Sequence, residues 1–180
     1  MKFLATAVAL ASNAGAAAIG RNPPTCPSKY VLKTEPLPGS ANLLHSGLYL
    51  YASHTGAGLY DPVFDVNKTV GSVGQLDNGH QAFDVGTNTA ELSMMYAPYA
   101  AWAGVAMNLG DGDSGYYLNE NGLQWTSSPE SPGGSTDSFK AWLVCDWYHG
   151  APQLFWRISG YEHTTIPSSC APVLLKPEAI

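Results

Sequence analysis

Apolar and polar residues alternate in short runs along this chain, and glycine or proline interrupts each run before a helical period can develop. Alternation with a period of two over four to eight residues marks a half-buried strand, whereas a helix needs apolar positions three and four apart over a longer stretch. Residues 48–54 show the alternation most cleanly. Leu48, Leu50 and Ala52 fall on one face, and Tyr49, Tyr51 and Ser53 on the other. Thr55-Gly56-Ala57-Gly58 then offers a turn, and residues 59–66 return as a hairpin partner. Pro62 in that return predicts a sheet edge, because proline has no N–H to give to a ladder.

Further strands are predicted at 30–34 (stopped by Pro36 and Pro38), 102–109, 116–118 and 123–126, and at 70–76 and 80–85 around the tight-turn signal Asp77-Asn78-Gly79. Residues 91–96 read as one helical turn ended by Pro98, and Ser127 to Ser138, rich in Ser, Pro and Gly, as a long solvated loop. The densest segment is the aromatic hairpin of residues 141–157. Trp142, Asp146 and Tyr148 share one face of its first strand, and Leu143, Cys145 and Trp147 the other. One of these faces belongs to the core, and the other is covered by a second layer or forms an exposed platform. With the terminal run Val173-Leu174-Leu175 the pattern predicts an all-β fold, an antiparallel β-sandwich or closed β-barrel of about ten short strands with little helix.

Lys2, the apolar stretch Phe3 to Ala11 and the small residues Ala14 to Ala18 have the order of a secretory signal peptide, with Ala16-x-Ala18 at the cleavage position. The expected organisation is a signal peptide at 1–18 and a single secreted β domain at 19–180. The apolar run is too short to cross roughly 30 Å of hydrocarbon. Only 12% of the residues are charged. Of 8 basic residues one, Lys2, lies in the leader, leaving 7 against 14 acidic and a formal charge of about −7. So few Lys and Arg argue against nucleic acid or an anionic membrane, both of which are held mainly by those residues. A neutral partner such as a glycan suits this surface, and the expected state is a monomer or weak dimer.

An exported chain meets an oxidising environment, so the three cysteines predict one disulfide and one leftover thiol. Cys145–Cys170 would clamp the C-terminal strand to the hairpin and is preferred; Cys26–Cys170 would tie the termini and also fits. None of the three has a chelating spacing. Asn67-Lys68-Thr69 is a glycosylation sequon in a predicted turn.

Candidate chemistry is sparse. Gly110-Asp111-Gly112-Asp113-Ser114-Gly115 has oxygen ligands for Ca²⁺ but lacks the distal Glu of a calcium loop, and its residues are those of ordinary turns. The five histidines show no H-x-H or H-x-x-x-H spacing, so no metal and no cofactor is expected. His80 and Asp84 alternate onto one strand face, the one local acid–base pairing. The phosphate-binding glycine loop and the G-x-S-x-G elbow are both lacking, so no catalytic residue is assigned. Aromatic rings with nearby polar groups form a stronger lead, because sugar rings stack on such surfaces while Asp and His take their hydroxyls. Tyr49, Tyr51, His54, Asp146, Tyr148 and His149 are the candidate glycan-binding residues.

The segments Leu48 to Leu59, Trp142 to Gly150 with Pro152 to Trp156, and Ser169-Cys170 with Lys176-Pro177-Glu178 together resemble a family of small secreted fungal proteins. The resemblance implies an uncharacterised extracellular or cell-wall-associated protein, some relatives being loosely labelled IgE-binding, and carries no catalytic residues. It also implies the Cys145–Cys170 pairing, with Cys26 as an extra cysteine. The resulting expectation is a secreted, non-catalytic binding protein acting on polysaccharide or a host-surface glycoprotein. The alternatives are a secreted hydrolase using His80 and Asp84, and a structural or immunogenic surface protein with no small ligand.

Overall fold

In the computed structural model the described residues are 27–147, 150–161 and 163–180. They form twelve strands: β1 (Tyr30–Pro36), β2 (Tyr49–Gly56), β3 (Leu59–Asp65), β4 (Gly74–Asp77), β5 (His80–Asp84), β6 (Thr89–Met94), β7 (Trp102–Leu109), β8 (Tyr116–Asn119), β9 (Gly122–Trp125), β10 (Phe139–Asp146), β11 (Pro152–Ile158) and β12 (Cys170–Ala179). One 3₁₀ turn, Lys68–Val70, precedes β4. The leader at 1–18 and Cys26 lie outside the described residues.

Of the two architectures expected, the sheet is the closed one. β1 pairs with β12 along its whole length, from Tyr30↔Ala179 to Pro36↔Val173. β12 continues onto β10 and β10 onto β11. β11 meets both β3 and β7. β7, β6, β5 and β4 follow as neighbours, and Tyr30↔Gly74 returns the sheet to β1. The result is a closed nine-strand antiparallel barrel. β2 lies along β3 and touches β1 at Lys33↔Tyr49. Closure removes the unpaired edges that an open sheet of this size would expose.

Alternation explains what fills the barrel. Leu50 on β2, Phe83 on β5, Leu92 on β6, Val105 and Met107 on β7, and Leu154 on β11 point inward into one core. Trp142 and Trp156 stand directly opposite each other across β10 and β11 and are both buried there. The β8–β9 hairpin is a separate two-stranded sheet that adds Tyr116 and Leu123 to the same core. Trp142 Nε1–H donates to the Leu123 carbonyl at 2.5 Å, which satisfies a buried donor and pins the hairpin. Gly122, at φ +88°, lies so close to the Leu175 carbonyl that a Cβ would overlap it.

Cys145 and Cys170 are directly opposite on β10 and β12 and form the disulfide, so the competing Cys26–Cys170 pairing does not occur. Asn78 (φ 47°) and Gly79 (φ 82°) are both left-handed, as a two-residue hairpin between β4 and β5 requires.

Three local expectations are corrected. Residues 91–96 are not a helical turn: β6 runs through Met94, with Ala90, Leu92 and Met94 facing the core at period two. Only the end of 70–76 is strand, because Asn67 caps the 3₁₀ turn by accepting from Thr69 N. Pro62 does not mark an edge. β3 is paired with β2 on one side, and on the other it changes partner from β7 at Tyr60 to β11 at Val63. The missing N–H falls at that change of partner, where neither ladder pairs with residue 62.

The Ser127–Ser138 segment is a largely exposed loop, as expected, and it is organised around the buried carboxylate of Asp137. Oδ1 accepts from Ser127 N at 3.2 Å and Phe139 N at 3.1 Å, and Oδ2 accepts from Gly133 N at 2.8 Å. Burial alone would raise the Asp137 pKa, but the hydrogen bonds from Gly133, Thr126, Phe139 and Ser127 outweigh it and hold the carboxyl below its ordinary value.

Candidate functional site

On the wall formed by β10, β11 and β7 the residues facing away from the core are also large and apolar. Leu143, Phe155 and Gly104 lie in one cross-strand row, and Ala141, Arg157 and Trp102 in the next. Leu143, Phe155 and the Cys145–Cys170 disulfide form a second, outer core, against which Trp102 and Ile166 pack. All four of these core residues are buried beneath that cover.

Beside this buried core the exposed apolar surface is mostly aromatic. Trp147, just past the end of β10, is 58% exposed, and its ring stands edge-on to Phe155 at 5.1 Å with the planes 69° apart. Gly104 beside Phe155 has no side chain, and the Met95 sulfur lies over the gap, 3.2 Å from where a Cβ would sit. Met95 is itself exposed, as are Tyr96 and Tyr99 in the same β6–β7 connection. Tyr99 is 97% exposed and held at φ 61°, a left-handed conformation uncommon for a bulky residue. Gln153 and Arg157 add polar groups from the outer side of β11. The wall therefore presents exposed rings and a few polar groups beside a buried apolar layer, a composition that suits an amphipathic ligand.

The residues singled out in the sequence are not assembled into one surface. Tyr49 and Tyr51 do share the outer face of β2, but Tyr49 is buried. Its hydroxyl donates to Glu178 Oε2 at 3.3 Å, and Lys33 Nζ lies 5.5 Å from its ring centre. Lys68 Nζ bonds the other oxygen of Glu178 at 2.8 Å. Hydrogen bonding from Lys68 comes first among the causes that lower the Glu178 pKa. Tyr49 is thus a strut between β2 and β12, not a platform. Tyr51 is half-buried. His54 is exposed at the far end of the β2–β3 hairpin, edge-on to Tyr60 at 5.2 Å. Asp146 is exposed at the end of β10, its Oδ1 3.7 Å from Nε2 of the buried His45, which lies 2.9 Å from the Ser169 carbonyl oxygen. Tyr148 and His149 lie outside the described residues. Asn67 is exposed, with its side-chain oxygen accepting from Thr69 N and Oγ1.

His80 and Asp84 do share the outer face of β5, yet they do not pair. His80 Nδ1 lies 3.1 Å from Glu91 Oε2 across the β5–β6 ladder, and Asp84 is bonded to Lys29 at 3.2 Å. His80 and Glu91 line an open polar depression with Gln75, Asp77, Asn78 and Thr89. Glu91 Oε2 also accepts from Gly112 N at 2.8 Å, and Asp113 Oδ2 from Met94 N at 2.6 Å. The Gly110–Gly115 loop therefore covers the part of β6 that β5 leaves unpaired, and Asp113 serves the backbone. Among the described residues no three His, Cys, Asp or Glu side chains are grouped to hold a metal ion. Beneath the loop the Tyr116 hydroxyl is buried with no hydrogen-bond partner among the described residues. Burial, and then the charges of Asp113 and Glu91, push its pKa well up and keep it neutral.

The pattern had already separated Leu143, Cys145 and Trp147 from the Trp142 face. It lacked the information that the Trp142 face turns inward, so Trp147, Trp102 and Met95 were passed over as site residues. Glu91 was missed because its segment was read as helical.

Residues 27–179 match a family model described as a domain of unknown function (DUF7907). Neither a curated protein nor a solved structure matches the chain.

Proposed function

The chain belongs to the DUF7907 family, whose description assigns no activity, and we propose that it is a secreted, non-catalytic binding protein that takes a glycan on the outer β10–β11–β7 wall. The observation that carries this reading is Trp147: a large ring left mostly in water and set edge-on against the buried Phe155. A rigid exposed indole loses little freedom on binding, and its flat face suits the apolar side of a pyranose ring. An extracellular or cell-wall location is supported by the disulfide, since such bonds persist in oxidising compartments. The same reading expects an N-linked glycan on Asn67, read as a loss of mass on enzymatic deglycosylation of the native protein.

The test is retention on insoluble chitin, glucan and mannan together with a glycan array. Retention by wild type, weakened about tenfold in Trp147→Ala at unchanged thermal stability, is the expected result; a ring contact contributes about 1 kcal/mol or more. Absence of retention on every glycan surface overturns the reading.

A second reading, a secreted hydrolase, rests on His80. With Nδ1 engaged by Glu91 the ring is oriented, and its other nitrogen is the one available for proton transfer. Turnover of an ester or glycoside panel that disappears in His80→Ala would favour it, and no turnover by wild type would remove it.

A further inference from the structure

Beyond Trp142↔Val173 the strands β10 and β12 part, and β9 wedges into the gap. A cleft of about 230 Å³ remains there, and its lining includes Leu37, Pro38, Asn121, Gln124, Lys140 and Leu174. Gln124 Nε2 donates to the Leu123 carbonyl at 2.7 Å, which leaves its side-chain oxygen to accept from a ligand. The cleft has apolar sides, two amides and a single charged group, Lys140.

Charges of both signs lie around it: exposed Glu35 is directly opposite Leu174 and exposed Glu120 precedes Asn121, while the cations differ in how they are paired. Lys29 is paired with Asp84, Lys33 and Lys68 with Glu178, and Lys176 Nζ bonds the Glu120 carbonyl. Lys140 and Arg157 have no acidic partner among the described residues, in a chain with 14 acidic and 8 basic side chains. The bulge between Phe139 and Ala141 carries Lys140, and Ala141 is directly opposite Arg157, so the two unpaired cations flank one strand position. Asp137, three residues from Lys140, is turned inward and occupied by backbone N–H groups. Arg157 in turn faces Trp102. The cationic pair therefore stands at one end of the aromatic wall, where the cleft opens.

We infer that the ligand of this wall is an acidic glycan, one carrying uronate carboxylates, with Lys140 and Arg157 taking a carboxylate in or beside the cleft while neighbouring sugar rings lie on the aromatics. This rests on the glycan-binding reading above. The molecule's net negative charge does not forbid it, because at physiological salt charges more than about 8 Å away are largely screened. Local complementarity then decides which anion is held.

The experiment compares tetragalacturonate with its fully methyl-esterified form, by titration calorimetry at 50 and 300 mM NaCl. Wild type, Trp147→Ala, the single variants K140Q and R157Q and their double are measured, each with a thermal melt to establish folding. The acid is expected to bind at least tenfold more tightly than the ester at 50 mM salt, with the advantage shrinking at 300 mM. The double variant is expected to lose that advantage and keep the weaker ester binding, and Trp147→Ala to lose both. Equal affinity for acid and ester overturns this inference and leaves the glycan reading standing. An acid preference that survives in the folded double variant overturns the assignment to Lys140 and Arg157. No binding of either form, with no retention on any other glycan, removes the reading and the inference together.

Discussion

Two buried polar side chains carry opposite expectations. Asp137 is an ionised group held by several donors, so its carboxyl is easier to ionise in the fold than in the unfolded chain. A folded pKa below the unfolded value contributes stability that is fully present above about pH 4 and is lost as the pH falls through the folded value. Asp137→Asn is therefore expected to cost about 1–3 kcal/mol near neutral pH, with the difference from wild type vanishing in strong acid. Urea denaturation of both proteins across pH 2–7 measures it, and a difference independent of pH would count against the ionic account. Tyr116 is the reverse case. Its hydroxyl gained nothing on leaving water, so Tyr116→Phe is expected to be neutral or stabilising by up to about 1 kcal/mol. A loss of more than 1 kcal/mol in the same assay would mean that the hydroxyl has a partner.

At the level of elements, the hairpins were readable because two signals coincided: alternation at period two, and turn residues whose conformations the structure uses. Asn78-Gly79 is the clearest instance. β6 was misread although Ala90, Leu92 and Met94 alternate, because alanine, glutamate, leucine and methionine are also good helix formers and Pro98 resembles a helix stop. The tie was broken by pairing with β5 and β7, which only the assembled sheet supplies. The same limit hid the site. β10 is apolar on both faces, and alternation sorts residues into faces without saying which face closure turns inward. Tyr49 was misplaced for a related reason, since its cover comes from Glu178, 129 residues away. The β8–β9 hairpin gives the sharpest test at this scale. Gly122→Ala forces a side chain into a left-handed position and against the Leu175 carbonyl, so it is expected to destabilise by about 2 kcal/mol or more. Loss of near-ultraviolet signal from Trp142, which the hairpin pins, should accompany the drop in melting temperature.

For the whole molecule, the disulfide joins neighbouring strands of the barrel and also backs the exposed rings, so stability and binding are linked through it. Closing 25 residues contributes about 3.5 kcal/mol in the chain-entropy model. Reduction is expected to lower the denaturation midpoint accordingly and to weaken glycan retention even where the barrel stays folded. Unchanged retention by the reduced, folded protein would separate the two. The antiparallel seam between β1 and β12 has a mechanical consequence. Tyr30 and Ala179 face each other at its open end, so handles attached at those two positions load the ladder one rung at a time, like a zipper. Pulled this way, the protein should peel at low force in either redox state, and the oxidised form should end shorter than the reduced one by the length of chain between Cys145 and Cys170, which the disulfide keeps out of the extension.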